Sequence, residues 1–389
     1  MDSFAAVERA LRGAAPHELP DVVRATLVKH YAATAVSLLM ADYGATTLRQ
    51  VDVLPSAAEP LFVHASTPGR AFGAQRPQVS AGGTPPVVTA HLPVTVRGDR
   101  LGVLTVTLPG ARYSPEVLSE LGDISEILGR EIVVAARDTD LYLRARRADR
   151  LTLAAEMQWQ LLPGQACSRP EFDLGAQLEP AYAVFGDTFD WSTSADHLTL
   201  TVANGTGEGI EAALLTGLAV NALRNARRAG LGLVDQACLA DQAVYGQHRG
   251  AAHLSVLLLR FELATGRIEV VDAGSPRVWR LRDGVVEPLE FEAQLPLGMF
   301  EDTIYQAQYA RVLPGDRLLC VSEGVCEAAS PAGERYSERA LARAVTSTRL
   351  LPASQVPRAL LQELAGHCGR PPRPEDDALV LCLDWHGRP

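Results

Sequence analysis

The chain has 389 residues, 47% of them hydrophobic, and a formal net charge of -10 at neutral pH. That content can bury one or two sizeable cores, and the length favours two or three domains over one. The acidic balance argues against a dedicated nucleic-acid binder; no apolar run reaches the roughly 18 residues of a membrane helix, and the N-terminus lacks the basic flank and apolar core of a signal peptide. A cytoplasmic protein is the expectation.

In chain order, residues 1–113 read as a small α+β domain. A helix, "LPDVVRATLVKHYA", precedes two strands, "AVSLLMADYG" and "TTLRQVDVL". Two further β-rich runs lie within "PVVTAHLPVTVRGDRLGVLTVTL", joined by a hairpin-like "RGDR". Residues 114–163 read as one long helix, with Ser114 as N-cap and Pro115 at the first helical position. Apolar residues recur in steps of three and four from Val117 through Leu121, Ile124, Leu128 and Ile132 to Ala135. The pattern resumes at Leu141, Ala145, Ala148 and Leu151, and Pro163-Gly164 stops it. A helix of this length without its own core usually packs against a copy of itself, so a parallel homodimer is expected. The arginines of "LRARRADR" read as its solvated face.

Residues 164–389 alternate strand-like runs with helices, which predicts two sheets between helical layers. The six cysteines, all from Cys167 onward, form no CxxC pair and read as reduced, mostly buried thiols. The run "LTVANGTGEGIEAALLTG" passes from strand to helix through Gly205, Gly207 and Gly209. It is neither a dinucleotide fingerprint, because Ile210 stands where the third glycine belongs, nor a P-loop, because no lysine follows. Three acidic spots fall at other turns: Asp187 and Asp190 in "VFGDTFDW", Glu323 after "LLCVS", and Asp376 and Asp377 before "ALVL". Carboxylates at strand ends can converge on one sheet edge and hold a hard cation through oxygen. Taken singly, each is an ordinary turn carboxylate.

Taken in order, "AAEMQWQLLPG", "VFGDTFDW", "LTVANGTGEGIEAALLTG", "VVDAGSPRVWRLRDG", "LPLGM", "VLPGDRLLCVSEGVCEA" and "EDDALVL" resemble the SpoIIE/RsbU branch of the PP2C-type metal-dependent serine/threonine phosphatases. The N-terminal part resembles a GAF domain. The fold class implied is α+β: a GAF-like antiparallel sheet with helices, a long helical linker, and a PP2C-like αββα sandwich. The resemblance implies two Mn2+ or Mg2+ ions flanking a nucleophilic water, and a phosphoserine STAS-domain anti-anti-sigma protein as partner. No nucleic-acid or membrane partner is implied, and no GAF ligand is identified. Carried over by position, the metal set is Asp187, Asn204, Gly205 through its carbonyl, Glu323, Asp376 and Asp377, with Gly186, Asp190, Glu208 and Ser275 nearby. Met157 and Leu161 fall on the family's regulatory switch helix.

Four positions depart from the family pattern. Asn204 stands for an Asp, Glu208 for a His, Ser275 for a His and Glu323 for an Asp. An Asn cannot form the anionic bridge between two cations, and the extra methylene of Glu displaces a carboxylate by about 1.5 Å. Two expectations follow: a working two-metal phosphatase that tolerates the changes, or a pseudophosphatase that acts by binding a partner through the same domain.

Overall fold

The computed structural model describes residues 3–51, 59–148, 150–179, 186–274, 277–336, 338–369 and 377–388. Ser275 and Asp376 therefore lie outside the described residues. The chain divides into two compact units, Met1–Arg150 and Leu151–Pro389. No described helix is long and apolar enough to cross a membrane.

The first unit runs α1 (Ser3–Gly13), α2 (Leu19–Tyr31), β1 (Ala35–Ala41), β2 (Thr47–Gln50), β3 (Leu61–Phe62), α3 (Thr67–Ala74), β4 (Gln78–Gly82), β5 (Val87–Val96), β6 (Asp99–Pro109), α4 (Pro115–Ala135) and α5 (Leu141–Ala145). Its strands form one antiparallel sheet in the order β3-β2-β1-β6-β5-β4. The β5–β6 hairpin turns at Arg97-Gly98, where both residues have positive φ, as a tight hairpin requires. Period-two alternation turns Leu92, Val94, Leu104 and Val106 to one face, and α1, α2 and α4 cover it.

The helical stretch expected at 114–163 is not one helix. Ser114 caps α4 as anticipated, its hydroxyl accepting from Val117 N at 3.3 Å. The helix stops at Ala135, and the polar "RDTD" makes a turn in which Thr139 Oγ1 accepts from Leu141 N at 3.3 Å. A second interruption ends at Thr152, whose hydroxyl accepts from Ala155 N at 3.1 Å and so starts a new helix. Side chains that cap a helix start compete with helix continuation, and that competition wins twice here. The apolar stripe Leu121, Ile124, Leu128 and Ile132 is buried against the unit's own sheet, and Ser125 Oγ donates to Pro93 O of β5 at 2.8 Å. The stripe thus has a partner within its own unit, and its periodicity gives no separate argument for a second chain.

The second unit runs α6 (Leu153–Leu161), β7 (Ala166–Arg169), β8 (Phe172–Glu179), β9 (Thr188–Thr193), β10 (His197–Gly205), α7 (Gly209–Arg228), α8 (Leu233–His248), β11 (Leu254–Glu262), β12 (Arg267–Ala273), β13 (Arg277–Arg282), β14 (Val285–Leu289), β15 (Gln308–Arg311), β16 (Arg317–Val321), α9 (Glu323–Cys326), α10 (Glu338–Ser347), α11 (Val356–His367) and β17 (Ala378–Trp385). One sheet has the order β15-β12-β11-β10-β9, the other β14-β13-β16-β17-β8-β7. Leu198, Leu200, Val202, Leu257 and Leu259 of the first interleave with Leu174, Leu318, Cys320, Leu379 and Leu381 of the second. The alternate residues face outward under helices. Ala203, Val256 and Val271 pack with α7 and α8, while Leu319, Val321 and Val380 pack with α10 and α11. The layers are therefore helix, sheet, sheet, helix.

Candidate functional site

Strand register decides which predicted residues meet. Asn204 pairs with Ser255 across β10 and β11, while Thr188 pairs with Ala203 and Val256 with Ala273. Extending those ladders by one residue sets Asp187, Asn204, Ser255 and Gly274 in a row along one end of the first sheet. Phe189, Val202 and Leu257 face the inter-sheet core, so residues two positions away, Asp187, Asn204 and Ser255, take that same face. In the second sheet Cys320 and Leu379 face inward, which puts Ser322 and Asp377 on the inner face at the matching end. The sites read from sequence as scattered strand ends thus lie along one edge of a sandwich.

The two sheets are tied at this edge through Asp187 and Asp377. The Asp187 N–H donates to Asp377 Oδ2 at 3.1 Å, and the two side chains are 1% and 0% exposed. Asp377 is fixed from below by Ser322: the Ser322 hydroxyl accepts from Leu379 N at 2.9 Å and donates to Asp377 O at 3.4 Å. Asp187 is fixed through its neighbours. Gly186 O accepts from Gly205 N and from Thr216 Oγ1 of α7, each at 3.1 Å. Gly186 has φ +111° and lies so close to Gly205 that a Cβ would meet Gly205 O at 2.7 Å, so only glycine fits.

A further support comes from a residue that sequence reading did not single out. Gln158 of α6 is buried, and its amide Nε2–H donates to Asp187 O at 2.9 Å. A glutamine in a helix ordinarily reads as solvated, and only its place among the buried Ala154 and Ala155 marks it otherwise. Met157 and Leu161, the residues singled out on this helix, are half-buried. Leu161 contributes its carbonyl, which accepts from Arg224 Nη2 of α7 at 2.7 Å.

Two predicted neighbours of the site are elsewhere. Asp190 lies one residue beyond Phe189 and so faces the helical layer instead of the cleft. Its carboxylate accepts from Arg224 at 2.7 Å and Arg227 at 3.0 Å, tying β9 to α7. Glu208 is the exposed N-cap residue of α7 and makes no side-chain capping bond. Gly205 is buried beside Gly186, with its N–H committed to Gly186 O.

A cleft of about 240 Å3 opens at this edge, with Asn204, Ser255, Gly274, Arg277, Glu323 and Glu327 in its wall. Glu323 is exposed at the start of α9 and lines the same cleft as Asn204. Burying two neighbouring carboxylates favours a proton or a cation beside them, since like charges in low dielectric repel strongly. Asp187, Asp377, Glu323 and Asn204 offer hard oxygens, the ligand type of Mg2+ or Mn2+, while Cys326 and Arg277 also line the cleft. Among the described residues, however, no three His, Cys, Asp or Glu side chains come together as a metal-holding group.

Residues 194–386 match the family model Stage II sporulation protein E (SpoIIE). Among curated proteins, Protein IcfG of Synechocystis sp. is 20% identical over 241 residues, which is 54% of this chain and 38% of that protein's length. Among solved structures, the SiaA-PP2C domain of Pseudomonas aeruginosa matches with a TM-score of 0.51 at 21% identity, over 60% of this chain and 94% of that one. The PP2C phosphatase domain of the cell fate determinant SpoIIE from Bacillus subtilis, with a fragment of its regulatory domain, matches with a TM-score of 0.50 at 17% identity, over 56% of this chain and 64% of that one.

Proposed function

We propose that the chain, whose residues 194–386 match the SpoIIE family model, carries a PP2C-type phosphatase domain and is a regulator of the sigma-factor partner-switching type. Its cleft docks a phosphoserine STAS-domain anti-anti-sigma protein and hydrolyses it weakly or not at all. The observation that carries this reading is the neutral Asn204, which lines the cleft together with Arg277 and lies by register opposite Asp187, the residue bonded to the buried Asp377. The amide, hydroxyl and guanidinium donors of the cleft can hold an anionic group alongside the Glu323 and Glu327 carboxylates, whereas two-metal hydrolysis calls for more converging carboxylate than the described residues supply. Partner binding needs shape and rim complementarity and no ion.

The second reading is a working phosphatase, favoured by the retained burial of Asp187 and Asp377. These two would hold a Mn2+ or Mg2+ ion, with Asn204 offering its amide oxygen. A bound ion of this kind supplies charge neutralisation at phosphoryl oxygen and a water of lowered pKa. In either reading the chain's own residues do the positioning: Gln158 and Gly205 hold the Gly186-Asp187 segment, and Ser322 holds Asp377.

The first unit is proposed as a GAF-like module, filling the role of sensor or dimerisation element for the second. The domain division 1–113, 114–163 and 164–389, homodimerisation and a cytoplasmic location belong to this proposal.

The test is Mn2+ titration by calorimetry on the full chain, together with phosphate release from a phosphorylated STAS protein. Wild type is compared with the Asn204→Asp/Glu323→Asp double variant. The proposal expects at most one ion and little phosphate from wild type, with gains of both in the double variant. Two ions and multiple turnovers by wild type would establish the second reading. Failure of the STAS protein to bind either form would remove the partner-switching assignment.

A further inference from the structure

Beside the cleft lies a second cavity of about 170 Å3, with Arg277, Trp279, Glu327, Arg335, Tyr336 and Leu341 in its wall. Arg277 and Glu327 border both spaces, so the two are contiguous. Arg277 and Trp279 are two residues apart on β13 and share the face turned toward α10 and α11, away from the inter-sheet core. Tyr336 precedes α10, where its N–H donates to Ala328 O at 2.7 Å and the His367 ring meets its ring edge-on at 5.2 Å. The wall is thus built from strand, helix and a braced loop, and it belongs to none of the carboxylate machinery.

Two of its side chains have unused hydrogen-bonding capacity. Trp279 is 4% exposed and Tyr336 3% exposed, yet among the described residues neither the indole Nε1–H nor the phenol O–H has a hydrogen-bond partner. Buried polar groups in folded proteins are nearly always bonded, so two unbonded donors on residues that line one cavity point to an acceptor that the described residues do not supply. Burial raises the phenol pKa, which keeps Tyr336 a protonated donor at neutral pH. Charged groups also line it: Arg335 forms an ion pair with Glu327, and Arg277 brings a second guanidinium to the wall. Leu341 and the two aromatic rings make the remainder apolar, fitting a short aliphatic stem that ends in an anion.

We propose that this cavity is a subsite for an acidic side chain, Asp or Glu, of the protein docked at the adjoining cleft. Trp279 N–H, Tyr336 O–H and the Arg277 guanidinium take its carboxylate. The subsite rests on the reading that a protein partner enters the cleft, and it makes Arg277 a specificity-determining residue that faces both spaces. A partner with an acidic residue close to its phosphoserine is selected over one without.

The test uses the full chain with 15N-labelled tryptophan and follows the Trp279 indole resonance, assigned by its loss in Trp279→Phe. The probes are N-acetylglutamate amide, N-acetylglutamine amide and inorganic phosphate, each titrated to tens of millimolar. The glutamate probe is expected to shift the indole resonance, with the glutamine probe about tenfold weaker because its acceptor is uncharged. Arg277→Gln should remove the preference for glutamate, and Tyr336→Phe should weaken binding several-fold with the other indole resonances unmoved. Equal response to glutamine and glutamate, a stronger response to phosphate, or no response to any probe would overturn the subsite. None of these readouts uses a metal ion or a STAS protein. A glutamate response without STAS binding therefore keeps the subsite and removes the proposed partner, and STAS binding without a glutamate response does the reverse.

Discussion

The side-chain amide of Gln158 donates to the backbone carbonyl of Asp187 at 2.9 Å, both residues being buried. A helix preceding the sandwich is thereby bonded directly to the backbone of a residue in the site. Gln158→Leu keeps the volume and removes the donor, leaving a buried carbonyl unsatisfied. A loss of about 1–3 kcal/mol is expected in urea unfolding of the full chain, with any Mn2+ uptake weakened in parallel. An unchanged urea midpoint would mean that the bond holds nothing in place.

Asp190 ties β9 to α7 through Arg224 and Arg227, and Arg224 reaches on to Leu161 O at the end of α6. Asp190→Ala leaves two largely buried guanidiniums without their carboxylate, and a cost of about 3–5 kcal/mol follows. The double variant Asp190→Ala/Arg224→Ala should lose less than the sum of the singles. Strict additivity in such a cycle would show that the two side chains do not interact.

Gly186 and Gly207 both have positive φ, but only the first is enclosed. A Cβ at 186 meets Gly205 O at 2.7 Å, whereas one at 207 meets nothing within 4 Å. Gly186→Ala is expected to cost about 3 kcal/mol and to loosen Asp187, with Gly207→Ala costing about 1 kcal/mol from backbone strain alone. Thermal unfolding of the two variants side by side checks this, and equal costs would contradict it.

Asp241 of α8 is buried and accepts from Gly298 N at 2.8 Å and Tyr305 Oη–H at 3.1 Å. Desolvation outweighs these bonds and holds its pKa above the ordinary value of 3.8. The folded state therefore binds this proton more tightly than the unfolded chain does. The stability it lends is full below pH 3.8 and is lost as pH rises from there through the folded value. Asp241→Asn keeps an acceptor for both donors and carries no charge. Its stability relative to wild type should rise with pH from about 4 upward and then level off. A difference independent of pH would show that Asp241 titrates as it does in the unfolded chain.

How much of this could be read from the sequence depended on period. The run Leu198–Val202 alternates apolar with polar residues, whereas Leu254–Leu259 and Leu379–Leu383 are almost continuously apolar; all three read as buried strands, but whether the ends bearing Asp187, Asn204, Glu323 and Asp377 converge was not legible without the strand register. The same rule separates Asp190 from Asp187, three residues away and on the other face, a distinction that residue type alone does not make. Gln158 was not legible because its partner is a backbone carbonyl, which leaves no trace in composition. The long helix was overread for a related reason. Steps of three and four persist across "RDTD" and "RADRLT", but Thr139 and Thr152 bond local backbone there and divide it. The cavity at Trp279 and Tyr336 was invisible because β13 and the loop before α10 meet only in the folded chain.

The Asp187–Asp377 bond joins positions 190 residues apart, and β17 lies between β16 and β8 in the middle of its sheet. Strand β8 therefore emerges with an apolar face and two ladder edges, and the neighbour for one of those edges is synthesised only about two hundred residues later. Closing so long a loop is slow relative to local pairing. The first sheet, whose strands β9 to β12 follow one another, can form early, whereas the second stays open until the last strand arrives. A nascent chain of this protein accordingly carries an unfinished β edge over about two hundred residues of synthesis. The edge that joins Asp187 to Asp377 comes into being in that closing step, so the site is assembled only when the second sheet is.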